Sequence, residues 1–510
     1  MMKQVMSHSS IGVRDVAAGG EKLARNNMTE FWKQHSKHAT VEEVMLDSNA
    51  MKLTQEELPE IMSLLPCLTG CKVLELGAGI GRYTTHLLAK AKHVTAVDFM
   101  EKFVEKNKLT NGHHTNVTFI HADVTKLDVP PNSIDFIFSN WLLMYLSEDE
   151  LKHFTEKMLH WLQPGGFLFF RESCQHRGGD CQRSFNPTYY RAQEEYHHLM
   201  ATVQVDEGAQ KFGFDLVLKK NIKAYVKLKN NANQMCWLME KGLRCSTTRN
   251  GFSTFQQFLD NQQYSRRGIL RYEKMFGTGY VSTGGPSMTK EFVGLLNMKP
   301  GQNVLDVGCG IGGGDFYMAK TFGVEVYGID LSENMMTIAL ERANVEKLPL
   351  VQFEVSDVTK RTFPEGSFDV IYSRDTILHI DDKLAIFRRF HSWLKPGGQL
   401  LITDYCCGEM PWTPQFEAYV KQREYILCTP SHYSKLIEKA GFSSVKVEDR
   451  TEQFIQVIKA ELQRAKDMKD EFIEELSEGD YLALINGWHE KLERSKSGDQ
   501  RWGLFHATRD

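Results

Sequence analysis

Two passages carry residues able to do chemistry at matching spacing. "VLELGAGIGRYT" at 73–84 and "VLDVGCGIGGGD" at 304–315 each end a short apolar run in an acid and alternating glycines, Gly77, Gly79 and Gly81 or Gly308, Gly310 and Gly312. Such glycines let the backbone turn sharply and a ligand come close, and together with the helix start that follows they suit an adenosine-type cofactor. The next strand ends in Asp98 or Asp330, placed to accept hydrogen bonds from ribose hydroxyls. A third strand end supplies Asp123 or Asp357, suited to an adenine amino group. The pattern GxGxxG is completed only in the second passage, through Gly313, since the first has Arg82 there. A dinucleotide pyrophosphate calls for that third glycine, so the shared signal is the acid followed by G-x-G-x-G. A glycine turn that binds nothing is the alternative. Further on, "SRDTILHI" at 373–380 sets His379 in an apolar run, where "SNWLLMYL" at 139–146 has Tyr145. Histidine is a natural base near neutrality, but by itself His379 also reads as an ordinary residue at a helix start.

These residues recur because the chain is a tandem repeat. "HVTAVDFM" at 93–100 returns as "EVYGIDLS" at 325–332, and "HWLQPGGFLFF" at 160–170 as "SWLKPGGQLLI" at 392–402. Gly77 and Gly308 are 231 positions apart, Asp123 and Asp357 234, Pro164 and Pro396 232. Each copy alternates apolar strands with helical stretches such as "FVEKNKL", and "PGG" is expected to break the chain before a strand. The expected fold is α/β: two tandem doubly wound, Rossmann-like domains, each a mostly parallel sheet flanked by helices. The expected divisions are a polar tail over 1–28, a first domain over 29–240, a linker over 241–253 and a second domain over 254–510. The second domain is expected to open with one helical run around "FQQFLDNQQYSRRGILRYEKMFG" and to contain an amphipathic helix, "FIQVIKAELQRAKDMKDEFIEEL", packed on the sheet.

The chain has 510 residues, 42% hydrophobic and 25% charged, which is ordinary globular chemistry. A formal net charge of −4 gives no general attraction to nucleic acid or anionic membranes. Ten cysteines without zinc-type pairs read as free thiols in a reducing compartment, with no metal site. No apolar run approaches the roughly 20 residues that span a bilayer, and the N-terminal stretch lacks an apolar signal-peptide core. The expectation is a cytoplasmic, monomeric enzyme, with a weak transit signal in the tail left open.

The glycine loops and paired acids resemble the S-adenosylmethionine-dependent methyltransferases of the Rossmann-like class. "FLDNQQYSRRGILRYEKMFGTGYVSTGG", "IYSRDTILHI", "ITDYC", "YVKQREY" and "GWHEKLERSK", with "SNWLLMYLSEDE" and "FRESC…SFNPTYYR" in the first half, are similar to the phosphoethanolamine N-methyltransferases in their two-domain, plant-type arrangement, from about residue 30 onward. The resemblance implies three methylations of phosphoethanolamine to phosphocholine, the first in the N-terminal domain and the others in the C-terminal domain, with S-adenosylhomocysteine as by-product. Such a reaction needs an unprotonated nitrogen, whereas a free alkylamine has a pKa of roughly 10, by analogy with lysine, so a base or a pKa-lowering site is required. The substrate's phosphate calls for Arg, Lys and Tyr donors.

Carried over from the family, His379 is the base, paired with Tyr264 in a dyad that closes the site, and Asp375 steadies the amine. Gln263, Tyr264, Tyr272, Tyr405, Tyr419, Arg423, Tyr425 and Lys491 would bind the phosphobase. Val281, Ser282, Gly308, Asp330, Leu331, Asp357, Val358 and Arg374 would meet the cofactor. In the first copy the cofactor contacts would be Gly77, Arg82, Asp98, Asp123, Val124 and Asn140, and the phosphate contacts Ser173, Gly178, Gly179, Arg183 and Tyr190. Trp141 and Tyr145 replace Asp375 and His379 there, and no base is identified. The implied partners are phosphoethanolamine, its mono- and dimethyl derivatives and phosphocholine. Two alternatives stay open: another small acceptor such as a sterol or quinone, or an N-terminal copy that only binds cofactor and regulates.

Overall fold

The computed structural model describes residues 20–183, 185–244, 252 and 254–510; residues 1–19 and most of the expected linker, 245–251 and 253, lie outside the described residues. The chain divides into two compact units, Met1–Asp215 with Asn233–Arg244, and Leu216–Ala232 with Cys245–Asp510.

In the first unit, five parallel strands stand in the spatial order Val117–His121, His93–Asp98, Lys72–Leu76, Ile134–Asn140, Leu162–Ser173. Gln234–Leu243 adds antiparallel to the last. The second unit repeats the order with Val351–Ser356, Glu325–Asp330, Asn303–Val307, Phe368–Arg374 and Leu394–Cys407. Gln500–Thr508 and then Ser443–Asp449 extend it antiparallel at one edge, and residues 218–220 pair antiparallel with Glu354–Ser356 at the other. The central strands are apolar without alternation because helices cover both faces. Val73, Leu74, Leu76, Val304, Leu305 and Val307 are all buried, and each such side chain contributes about 1.5–3 kcal/mol by leaving water. Chain order reverses between the first and fourth strands of each unit. That reversal opens a crevice at the carboxyl ends and brings the glycine turns, the strand-end acids and the Tyr145 and His379 turns to one rim.

Several local details differ from the sequence reading. The "PGG" triplets do not break the chain before a strand. Leu162–Ser173 and Leu394–Cys407 run through them, with a register shift against the neighbouring strand that Gly165 and Gly397 permit at φ 78 and 76. The helical run opening the second domain is three pieces: a helix Phe255–Phe258, a π-helical turn Leu259–Gln263 and a helix Arg266–Phe276 whose N-cap Ser265 accepts from the Gly268 N–H (3.2 Å). The C-terminal amphipathic stretch breaks at Met468 into Thr451–Asp467 and Lys469–Glu475, and its buried face includes Phe454, Ile458 and Leu462. In the first unit a helix Gly20–His35 starts inside the stretch read as tail. No helix among the described residues is long and apolar enough to cross a membrane.

Candidate active sites

The crevice of the second unit opens on a cavity of about 770 Å³, a size suited to a small-molecule ligand. Val281, Ser282, Gly308, Asp330, Leu331, Asp357, Val358 and Arg374 all line it. Asp330 ties the glycine turn to the second strand: Oδ2 accepts from the Gly310 N–H (3.0 Å) and Oδ1 from the Ser332 N–H (2.8 Å). Burial pushes this carboxyl up to about 6, against the pull of those donors. Gly312, at φ 82, has no room for a Cβ because the Phe353 ring fills the space. Asp357 Oδ1 accepts from the Thr359 N–H (2.9 Å) and hydroxyl (2.6 Å). Arg374 donates to Thr283 O (2.6 Å), Thr289 Oγ1 (2.6 Å) and Gly285 O (3.4 Å), so its charge holds the segment that carries Val281 and Ser282.

Asp375 and His379 line the same cavity. Asp375 Oδ1 accepts from Trp502 Nε1 (2.9 Å), while Oδ2 is out of solvent and, among the described residues, has no hydrogen-bond partner within range. Burial raises the pKa of this carboxyl, against the pull of Arg374. The His379 ring sits between Phe255 and Tyr425, with centroids 5.7 and 5.2 Å away, and among the described residues its Nδ1 has no partner. Burial, then the charges of Lys383 and Arg423, hold it down to about 3, so the imidazole is neutral. Tyr264 lines the same cavity, and Asn334 Nδ2 donates to its carbonyl (2.9 Å). Burial pushes its hydroxyl upward. Among the described residues no hydrogen bond joins Tyr264 to His379.

Cations and tyrosines line the rest of this cavity. Lys491 Nζ donates to Thr283 Oγ1 (2.7 Å) and Tyr405 OH (2.8 Å). Burial lowers its pKa to about 8, against the opposing pull of Glu461 and Asp375. Burial would lower Arg423, but Tyr425, Tyr272 and Tyr419 outweigh it and the net shift is upward. Tyr272, Tyr405, Tyr419, Arg423, Tyr425 and Lys491 all line the cavity. Gln263 does not; it is buried behind, and its Nε2 donates to the Arg423 carbonyl (3.1 Å). Sequence reasoning missed Thr283 and Arg494. Arg494 stacks its guanidinium 3.7 Å from the Tyr419 ring centre and stands three residues beyond Lys491 on the helix Glu478–Ser497, a spacing that puts both on one face.

The first unit repeats the glycine turn and strand-end acids around a narrower cavity of about 140 Å³, lined by Gly77, Arg82, Asp98, Asp123, Val124 and Asn140. Asp98 repeats the clamp, accepting from the N–H groups of Gly79 and Met100 (2.8 Å each), and burial pushes it up to about 6. Arg82 pairs with the buried Glu57 and donates to Thr54 Oγ1 (3.0 Å). Arg171, missed in the sequence, donates to Glu57 Oε2 (2.9 Å) and Asn140 Oδ1 (3.1 Å) and lies 3.7 Å from the Trp141 ring centre. Asp123 accepts from Arg25 Nε (3.0 Å).

Ser173, Gly178, Gly179, Arg183 and Tyr190 line the other end. Arg183 Nη1 donates to Tyr190 OH (3.2 Å), and Ser173 Oγ accepts from Gln234 Nε2 (2.8 Å). Trp32, Trp141, Tyr145 and Tyr190 pack with Met28 and Met144 into an apolar wall. Arg25, Met28 and Trp32 come from the helix Gly20–His35, whose sequence carries neither a glycine turn nor a strand-end acid.

Two methyltransferase-domain family models match, one over residues 73–166 and the other over residues 305–402. The chain is 52% identical over 498 residues to phosphoethanolamine N-methyltransferase 3 of Arabidopsis thaliana, covering 97% of this chain and 100% of that protein. It is 38% identical to the Plasmodium falciparum phosphoethanolamine N-methyltransferase over 256 residues, 50% of this chain and 96% of that protein. Among solved structures, phosphoethanolamine N-methyltransferase 2 of Haemonchus contortus, in complex with phosphomonomethylethanolamine and S-adenosylhomocysteine, superposes with a TM-score of 0.75 at 26% identity, covering 90% of this chain and 98% of the other. On this likeness over nearly its whole length, the chain belongs to the phosphoethanolamine N-methyltransferase family.

Proposed function

We propose that this chain methylates phosphoethanolamine three times from S-adenosylmethionine, releasing S-adenosylhomocysteine and phosphocholine. The observation that carries the reading is the second cavity. Its lining brings two cations, Arg423 and Lys491, together with the Asp375 carboxyl and a neutral His379, beside the glycine turn. A ligand carrying both a phosphate and an amine matches that set of charges. A sterol or quinone would offer those cations no counter-charge.

Bound S-adenosylmethionine supplies an electrophilic methyl group. The glycine turns, with Asp98 and Asp123 in one unit and Asp330 and Asp357 in the other, fit its nucleoside. Arg423, Lys491 and the tyrosines around them anchor the phosphate, and a fixed anchor orients the nitrogen for in-line displacement. Asp375 steadies the ammonium before it loses its proton. His379 takes that proton, with Tyr264 closing over the site. Burial is the main reason the imidazole is a weak base, and the bound phosphate's negative charge counters only the smaller effect of Lys383 and Arg423. The first unit, with Tyr145 and Trp141, performs the first methylation, its phosphate held by Arg183, Tyr190, Ser173 and the backbone of Gly178 and Gly179. The second unit performs the next two. The domains implied are 29–240 and 254–510, in a cytoplasmic monomer that feeds phosphatidylcholine synthesis.

The test is direct. Purified protein given S-adenosylmethionine and phosphoethanolamine yields phosphocholine; no methylated product from phosphoethanolamine or its monomethyl derivative overturns the reading.

A further inference from the structure

His379 and Tyr145 are both presented by a short 3-10 turn, Ile377–His379 in one unit and Leu143–Tyr145 in the other. Each turn is gripped at the same two carbonyls. Lys383 Nζ donates to Ile377 O (2.9 Å) and Ile380 O (2.7 Å). Arg191 donates through Nη1 to Leu143 O (3.4 Å) and through Nη2 to Leu146 O (2.6 Å). Leu143, Tyr145 and Leu146 precede Ile377, His379 and Ile380 by the same 234 positions. The cations themselves do not correspond. Lys383 opens the helix Lys383–Trp393 just after its turn, whereas Arg191 lies far along the chain, before the helix Gln193–Ala201. Both are buried. The two copies thus reach one contact from unrelated positions.

Burying a cation is costly unless it is paired, and each has an acid on the fifth strand of its unit. Glu172 and Asp404 stand 232 positions apart. Glu172 accepts from the N–H groups of Leu142 (3.1 Å), Leu143 (2.7 Å) and Met144 (3.3 Å), gripping the turn from its other end. Asp404 accepts from Tyr433 OH (3.2 Å), and its field opposes the drop in Lys383's pKa that burial causes.

We propose that Lys383 and Arg191 are positioning residues: each pins its 3-10 turn by two carbonyls and so holds the ring of His379 or Tyr145 in place at the accepting nitrogen. The inference rests on the proposed methylation. The groups facing His379 are Lys383 and Arg423, with the Phe255 and Tyr425 rings, so loss of the Lys383 charge frees the ring and lets it take a proton at higher pH.

The experiment uses the full-length chain carrying Lys383→Met or Lys383→Arg. Lys383→Met is expected to lower kcat on phosphomonomethylethanolamine by tenfold or more. KM, calorimetric affinity for S-adenosylhomocysteine and the first methylation stay within twofold. Lys383→Arg restores most of the rate. The His379 imidazole, followed by NMR, titrates at higher pH in Lys383→Met. An unchanged kcat with an unchanged His379 titration overturns the proposal, as does equal loss in Lys383→Arg. Should Lys383→Met not fold, Arg191→Met decides: selective loss of the first methylation supports the proposal, and a normal rate overturns it. If the unsubstituted protein methylates nothing, the functional reading falls, and the NMR titration still reports whether Lys383 holds the His379 ring.

Discussion

Trp141 and Asp375 stand at the same strand end in the two units, and both hold a left-handed backbone, with φ of 55 and 51. Their N–H groups donate to equivalent carbonyls, Arg171 O (2.8 Å) and Thr403 O (2.7 Å). Left-handed backbone is uncommon for residues other than glycine, and its recurrence shows that the turn, not the side chain, dictates it. One geometry thus brings an indole to one cavity wall and a carboxylate to the other.

The carboxylate is expected to matter only where it stands. Asp375→Ala should lower methylation of phosphomonomethylethanolamine by about 10–100-fold, the worth of roughly one charged hydrogen bond, and leave the first methylation intact. Rates on the separate phosphobases check this.

His379→Ala should cost about 10²–10⁴-fold in the second and third methylations, the usual range for a general base. Phosphoethanolamine should still gain one methyl group. A mutant that forms phosphocholine at the normal rate excludes His379 as the base.

Lys491 gives the proposed phosphate site an upper pH limit. Burial first, then Arg494 and Arg423, lower its pKa to about 8, so the empty site loses a cation as pH rises through that value. KM for the phosphobase should rise between pH 8 and 9 while affinity for S-adenosylhomocysteine stays flat, and Lys491→Arg should remove the dependence.

Asp98 and Asp330 set a lower limit. Burial pushes both up to about 6, above the model-peptide value. The folded state therefore binds protons more tightly than the unfolded state, and these two groups add stability as pH falls from 6 toward 4. In the proposed cofactor role these groups accept from ribose hydroxyls as carboxylates, so affinity moves the other way. The rise in Tm produced by S-adenosylhomocysteine should shrink between pH 7 and 5.

Gly312→Ala should destabilise by about 1–3 kcal/mol, because left-handed backbone is strained for alanine and the Phe353 ring fills the space its methyl needs. Thermal unfolding measures it.

The duplicated glycine turns, strand-end acids and apolar strands were legible because they are local. A glycine turn and a buried parallel strand are written in consecutive residues, and the repeat displayed each twice. The "PGG" triplets misled because a break in the chain and a bulge inside a strand use the same residues, and only pairing with the neighbouring strand separates them. The opening run of the second domain was likewise legible as helical but not as three pieces.

By itself the sequence determined two α/β repeats, their cofactor loops and the contrast between Tyr145 and His379. Tertiary structure alone decided what surrounds them. Thr283 reaches Lys491 across 208 residues, Trp502 reaches Asp375 across 127 and Arg25 reaches Asp123 across 98. Arg374, Arg82 and Gln263 proved to hold neighbouring protein groups as well as, or instead of, facing a cavity. The physical reason is that a buried charge or amide must find a partner, and which partner lies within reach depends on how distant segments pack, a relation that no local pattern of residues encodes.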